Sequence, residues 1–416
     1  MSFPIDAVRA RFPALHIIDD GMSRVYFDAP GGTQACSDAI AAMAAHLSGG
    51  TANAGGAFAT SRATDAMSAQ AHAAAADLLN AHPDEIAFGP NMTTLTFAVS
   101  RALGRTWQAG DEMVLTRLDH DANVAPWLAV AADAGMTVRW LDFDPDTGRL
   151  RLDALPDLLS PRTRLVAVGG ASNALGTVAD LPAIVAAVRA GSGALVFVDA
   201  VQLAPHAPID VAAIGCDLLA CSPYKLFGPH LGILWCRGAL AETLDAYKVR
   251  PAGNCGTRRF ETGTPSFEAQ AGFTATVNYL AWLGSIVAPT ATHRRDRIVA
   301  ALDAATAYER ELGDRLLAGL TRLNSVRLYG PATMTGRVPT FAFTVAGHAP
   351  ADVARHLAAH GIFAWSGHFY AVETIARLGL NDSGGLVRVG LCHYNTAAEV
   401  DRFLSVLSDL SGSRDA

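Results

Sequence analysis

Between residues 85 and 240 the chain alternates short unbroken apolar runs with alanine-rich stretches of helical length, and no other feature limits its fold as strongly. EIAFG (85–89), EMVLTR (112–117), TRLVAVGG (163–170), ALVFVDA (194–200), DLLAC (217–221) and GILWC (232–236) read as strands. TTLTFAVSRAL (93–103), APWLAVAADAG (125–135) and LPAIVAAVRAG (181–191) read as helices. Strands without polar alternation are covered on both faces, and crossover helices supply that cover. The expected fold is α/β, with a mostly parallel central sheet and helices on both faces. GPHLGILW leaves no room for a helix before the last run, so that strand is expected to be antiparallel.

At 416 residues the chain is long for one core, and two domains are expected. The stretch 288–323 reads as one long connecting helix whose charges, Arg294 to Arg297 and Glu309 to Arg315, form a solvated face. Beyond it, VRLYG (326–330), TFAFTV (340–345) and GLVRVGL (385–391) read as strands, and 351–361 and 397–410 as helices. The expected division is a large α/β domain over 25–287 and a smaller C-terminal α+β domain over 288–416, packed with residues 1–24. The tail SGSRDA is expected to fray.

Composition narrows the function. Half the residues are apolar and 17% are charged, which describes a well-buried globular chain. The net charge of −7 and the lack of a basic cluster speak against a nucleic-acid partner. No apolar run is long enough to span a membrane, and the first residues carry Asp6 rather than a secretory signal. Six scattered cysteines without C-x-x-C, and thirteen histidines without H-E-x-x-H, point to no disulfide framework or metal site and to a reducing cytoplasm. The glycine fingerprints of dinucleotide and P-loop sites are absent.

Of the 32 basic residues only Lys225 and Lys248 are lysines. A chain that otherwise uses arginine places Lys225 among apolar and turn residues, in CSPYKLFGP (221–229). Arginine cannot give up its proton, whereas a primary amine can attack a carbonyl. Other polar residues fall where strands end, the usual ligand crevice of such sheets. Thr93 and Thr94 open a helix, as a phosphate seat or as an ordinary cap. His120 follows EMVLTRLD, as a structural histidine or as a flat cover for a ring. Asn173 lies in GGASNALG, as a left-handed turn residue or a site amide. Asp199 ends ALVFVD with Gln202 after it, as a helix cap or a desolvated carboxylate. An anion seat, a ring cover, a buried acid, an amide and an amine together suit pyridoxal phosphate.

With these motifs the chain resembles the class V aminotransferases, pyridoxal-phosphate enzymes of fold type I, and among them the cysteine desulfurase-like group. The resemblance runs from VYFDAPGGTQ (25–34) through HDANVAPW, SNALGT, VDAVQ, SPYKLFGP and FETGTPSFE to VRVGLCHYNT (387–396). It implies that Lys225 is the Schiff-base lysine, Asp199 the partner of the pyridine nitrogen and Gln202 that of the phenolic oxygen. Asn173 would lie at that edge and near the substrate, and His120 would stack on the ring. Thr93, Thr94, Ser222 and Tyr224 would hold the phosphate. Thr264 would reach the phosphate of the other subunit, which implies a homodimer with composite sites. Arg388 would clamp the substrate carboxylate, its alternative being a salt bridge on a sheet edge.

One departure bears on the reaction. Desulfurases of the closest group carry a catalytic cysteine on a loop; here Tyr370 stands in its place and Trp365 in that of a neighbouring arginine. Tyrosine cannot take up sulfur as a persulfide. Cys392, just past Arg388, is read as an inert packed thiol. The expectation is β-elimination, a carbon–sulfur lyase or a related reaction, on a cysteine-like amino acid. Transamination and epimerisation are the alternatives, and a non-catalytic relative is the third.

Overall fold

The computed structural model describes residues 3–412. Seven strands form the central sheet: β1 Ile86–Gly89, β2 Glu112–Thr116, β3 Thr137–Leu141, β4 Thr163–Gly169, β5 Leu195–Asp199, β6 Leu218–Cys221 and β7 Gly232–Cys236. Their order is β1-β7-β6-β5-β4-β2-β3. All pairings are parallel except those of β7, which runs antiparallel to both β6 and β1. The expected turn without a crossover at GPHLGILW therefore produces the expected antiparallel strand. The six strands read from sequence sit within one or two residues of their expected bounds. They are buried along most of their length, as unbroken apolar runs require.

Strand β3 is not among the strands expected from sequence. It lies at the sheet edge, only its last residue is buried, and Arg139 reaches sideways to Glu112 at 2.9 Å. An edge strand of this kind lacks the apolar run that marks the others. Three long helices, of 12, 21 and 21 residues, also lie outside the sequence expectations: Ser37–Ser48, Ala59–Leu79 and Phe267–Val287.

The expected continuous helix over 288–323 is corrected by the structure. Residues 288–293 are a turn containing Pro289, and the helix is Arg294–Leu320. It packs on Phe267–Val287. A Cβ at Gly284 would stand 1.9 Å from the Arg297 carbonyl oxygen, so the bare glycine is what lets the two helices touch. The expected solvated face holds for Asp296, Arg310, Glu311, Asp314 and Arg315, which are exposed, and is corrected at two other positions. Glu309 is buried and holds His206 at 2.8 Å, and Arg295 donates to the carbonyls of Leu78 and Ile209, each at 2.7 Å. These charges dock the connector onto the large sheet's helices rather than face water.

The C-terminal unit is an antiparallel sheet of β8 Val326–Tyr329, β9 Thr340–Val345, β10 Trp365–Gly367 and β11 Leu386–Gly390, in the order β8-β9-β11-β10. Phe341, Phe343, Val387 and Val389 pack its core against Leu316 and Phe403. The segment Val25–Tyr26 pairs in parallel with Ile362–Phe363, so residues 25 and 26 are stitched to this unit and not to the large sheet. The last helix continues to Gly412, and the rest of the tail expected to fray lies outside the described residues. Among the described residues no helix is long and apolar enough to cross a membrane.

Candidate active site

The carboxyl ends of β1, β2, β4, β5 and β6 converge, and the turn after each carries one of the polar residues singled out by sequence. At the end of β6, Pro223–Lys225 form a single 3-10 turn. The next residues reverse sharply, with Phe227 at φ +65°, a left-handed conformation rare for a large side chain. Thr33 locks the reversal: its N–H donates to the Tyr224 carbonyl at 3.1 Å and its hydroxyl accepts from the Phe227 N–H at 2.7 Å. The Lys225 amine is buried and donates to the Pro30 carbonyl at 2.6 Å. Burial, reinforced by the Arg388 charge and opposed by Asp199, pulls its pKa down to about 7. A large fraction of this amine is therefore uncharged and nucleophilic near neutral pH.

Asp199 closes β5 and is 7% exposed. Its Oδ1 accepts from the Val201 N–H at 2.9 Å, and the residues after it form a run of turns, so it caps no helix. Burial raises its pKa to about 6, against the Val201 hydrogen bond and the Lys225 charge. Gln202 donates from Nε2 to Thr340 Oγ1 at 3.1 Å, while its Oε1 is buried without a partner. Asn173 donates from Nδ2 to the Phe369 carbonyl at 2.8 Å, and its Oδ1 is likewise unpartnered. The left-handed residue of its turn is Gly176, not Asn173, so the amide is not there for backbone geometry.

The helix Met92–Gly104 aims its N-terminus at the same space. Its cap is Asn91, whose Oδ1 accepts from the Thr94 N–H at 2.8 Å and the Thr94 hydroxyl at 3.0 Å. The capping role considered for Thr93 and Thr94 thus belongs to Asn91. Ser222 Oγ accepts from the Met92 N–H at 3.0 Å, joining the ends of β6 and of this helix. These residues, with His120, Asn173, Asp199, Gln202, Tyr224 and Lys225, line one cavity of about 540 Å³. His230 also lines it, its ring stacked on Tyr224 at 4.9 Å.

His120 accepts at Nδ1 from the Ala122 N–H at 2.9 Å. Burial, then the Lys225 and Arg388 charges, push its pKa down to about 3, so it presents a neutral flat ring. Beside it, Asp119 is fully enclosed. It accepts from the Thr116 hydroxyl at 2.7 Å, the Gly169 N–H at 2.9 Å and Asn123 Nδ2 at 2.7 Å. Neither Asp119 nor Asn91 is among the residues singled out by sequence. An Asn three residues before Thr94 is a legible cap signal, whereas a buried acid next to a histidine gives no pattern to read.

A second cavity of about 830 Å³ adjoins the first and shares His120, Asn173, Tyr224 and Lys225 with it. Arg388, Trp365 and Tyr370 line it. Arg388 sits on β11, an interior strand rather than a sheet edge, and donates from Nη1 to the Asn173 carbonyl at 2.9 Å. Its guanidinium lies 4.3 Å over the Phe369 ring, and its Nε is buried without a partner. Burial lowers its pKa to about 9, against the pull of Asp28. Thr264 is exposed and lines neither cavity of this protomer. Cys392 is buried, and burial pushes its thiol well above the ordinary range, as an inert packed thiol requires.

The sequence profile described as Aminotransferase class-V matches residues 25–403. The chain belongs to that family. This class-V aminotransferase is 33% identical to the aminotransferase-like protein FGM3 of Gibberella zeae, over 98% of each chain. It is 32% identical to a cysteine desulfurase of Klebsiella pneumoniae, again over 98% of each chain. Among solved structures it superposes on the apo cysteine desulfurase of Thermococcus onnurineus NA1 with a TM-score of 0.88, at 27% identity over 99% of each chain. It is a pyridoxal-phosphate-dependent enzyme with the fold type I architecture. The residues present fit the group. The first cavity is lined by a helix N-terminus with hydroxyls and by a buried acid. Asn173 and Gln202 line it too, and their buried amide oxygens are satisfied by no protein group.

Proposed function

We propose that this class-V aminotransferase is a lyase that expels the β-substituent of a cysteine-like amino acid. The observation that carries the reading is the position of the Lys225 amine. It is buried where the two cavities meet, part-neutral at pH 7, with Asp199 on one side and Arg388 on the other.

Bound pyridoxal phosphate supplies an aldehyde that takes up an amine and a ring that accepts the electron pair left on the α-carbon. Lys225 would hold the cofactor through its amine, and the same amine is placed to move the proton of the substrate α-carbon. Asp199 would hold a proton at the ring nitrogen, and His120 would cover the ring face. Thr93, Thr94, Ser222 and Tyr224 hold the phosphate. Gln202 serves the phenolic oxygen: the Thr340 hydroxyl can donate or accept, so the amide is free to turn its Nε2 toward that oxygen. Arg388, whose Nη1 is held by the Asn173 carbonyl, offers Nη2 to the substrate carboxylate. Thr264, exposed in one protomer, serves the site of its partner, which makes the enzyme a homodimer with composite sites. Six free cysteines support a cytoplasmic setting.

The segment from Trp365 to Tyr370 holds no cysteine, so sulfur leaves as a free thiol or sulfide rather than on the protein. Incubating the holoenzyme with cysteine and S-substituted cysteines tests this. Pyruvate and ammonium released in equal amounts support elimination. The 2-oxo acid of the intact substrate would make the enzyme a transaminase, and inverted substrate an epimerase.

A further inference from the structure

We propose that the substrate is a cysteine whose sulfur carries an uncharged aromatic group, an S-aryl or S-benzyl cysteine. This rests on the elimination reading above and names the chemistry of the leaving group.

The first observation is the wall of the larger cavity. Trp365, Phe369 and Tyr370 line it from the C-terminal unit, and Phe97 and Tyr224 from the large one. Trp365 and Tyr370 are 54% and 66% exposed, which leaves two large rings uncovered at one cavity. Free cysteine has a single sulfur beyond its Cβ and no apolar group to set against these rings. A cavity of about 830 Å³ is the size of sites for much larger molecules.

The second observation is that this wall is built and not a loose loop. Phe369 and Tyr370 stand side by side at φ +52° and +57°, a conformation bulky residues rarely adopt. Four bonds hold it. Asn173 Nδ2 donates to the Phe369 carbonyl at 2.8 Å, and the Asp121 N–H to the Tyr370 carbonyl at 2.7 Å. The Tyr370 N–H donates to His368 Nδ1 at 3.0 Å, and the Ala371 N–H to the His368 carbonyl at 2.7 Å. Trp365 is fixed by the pairing of β10 with β11, opposite Arg388. Gly31 makes room for it: a Cβ there would lie 2.6 Å from the indole Nε1.

The third observation is charge. Arg388 is taken by the α-carboxylate and Lys225 by the chemistry. The lining's carboxylate is Asp121, so an anionic substituent meets a like charge there.

In the reaction the Cβ–S bond breaks with its electron pair leaving on sulfur, which takes up a proton to give the aromatic thiol. One water hydrolyses the three-carbon remainder to pyruvate and ammonium. No oxidant or reductant is consumed.

The test begins with binding to the holoenzyme of 3-(benzylthio)propanoate, which lacks the amine and cannot react. Calorimetry is expected to show it binding roughly tenfold more tightly than 3-(methylthio)propanoate, the usual reward for filling an apolar pocket. Trp365→Ala and Tyr370→Ala should each remove most of that difference. Equal binding of the two acids, or a difference untouched by both substitutions, overturns the proposal. In turnover, S-benzyl-L-cysteine should exceed L-cysteine in kcat/KM by a similar factor. Pyruvate from L-cysteine without that preference overturns the aromatic substrate and leaves elimination standing. Aromatic preference in binding without pyruvate from any cysteine overturns the elimination reading instead.

Discussion

Arg388 Nη1 donates to the backbone carbonyl of Asn173 at 2.9 Å, across 215 residues of sequence. One bond thus ties the C-terminal sheet to the turn after β4. Because Nη1 is spent on a carbonyl, the face on Phe369, and Nε is enclosed by protein, Nη2 is the nitrogen that remains for a ligand.

Arg388→Lys is therefore expected to be a damaging exchange. A lysine keeps a charge but loses the fork, and it cannot hold Asn173 and a carboxylate together. Steady-state kinetics should show kcat/KM reduced by roughly 10² or more, the range for one charge-assisted contact of 2–5 kcal/mol, with much of the loss in KM. A variant within twofold of wild type would remove Arg388 from the carboxylate site.

Lys225→Ala should abolish turnover while the circular dichroism spectrum stays that of the parent. The side chain is buried, but it spends one hydrogen bond, on the Pro30 carbonyl, and a ring contact with Tyr224, so the fold loses little with it. Cofactor should still bind, yet borohydride treatment should no longer fix it to the chain. Activity within tenfold of the parent would refute the assigned role, since covalent and general-base catalysis contribute more than that.

The Lys225 pKa also makes a stability prediction for the cofactor-free protein. Folding lowers it from 10.5 to about 7, so between those values the unfolded chain holds more protons than the folded one. The contribution of this group to stability therefore rises with pH from about 7 to 10.5 and is flat below that window. Denaturant melts at pH 7.0 and 9.0 should show parent and Lys225→Met diverging, with the parent gaining relative to the variant at high pH. Parallel curves would mean the amine is not desolvated.

Much of this is legible in the sequence because burial on both faces leaves an unbroken apolar run, and six strands of the large sheet carry one. Their carboxyl ends then locate Lys225, Asp199, Asn173, His120 and the Thr93–Thr94 helix without knowledge of the fold. Edge strand β3 is not legible, since half of its surface faces water. The late start of the helix Arg294–Leu320 is marked by Pro289 and is legible, whereas the burial of Glu309 is not, because a buried acid and a solvated one look alike until His206 is placed beside it. Asp119 escapes for the same reason. Thr264 is named through resemblance alone, and one protomer does not bring it to the site.

Gly284→Ala probes the helix contact that the sequence does not reveal. The added carbon would need space already held by the Arg297 backbone, which no rotamer can vacate. The helix Arg294–Leu320 must shift, at a cost of about 1–3 kcal/mol or more for overpacking. A chemical melt should report that loss, outweighing the roughly 1 kcal/mol that alanine gains over glycine inside a helix. A stabilised variant would show that the two helices slide apart freely.

Asp119→Asn is the sharpest test of the hydrogen bonds beneath the site. The carboxylate accepts from Thr116, the Gly169 N–H and Asn123. An amide can still accept at one oxygen from Thr116 and Gly169, but its NH2 then faces the NH2 of Asn123. Turning Asn123 to relieve this points its amide at the Trp127 indole N–H, from which its oxygen now accepts at 3.1 Å. Either way one buried donor is left unsatisfied, at about 1–3 kcal/mol. The substitution also removes a buried acid coupled to the Asp199 charge. Burial and the Asp199 charge raise the Asp119 pKa to about 7, above the about 6 of Asp199, so Asp119 still holds its proton while Asp199 ionises and the acid limb of the pH–kcat profile should stay in place. Loss of stability without movement of that limb would confine Asp119 to holding the turn, while movement of the limb would make it a positioning residue for the acid under the cofactor.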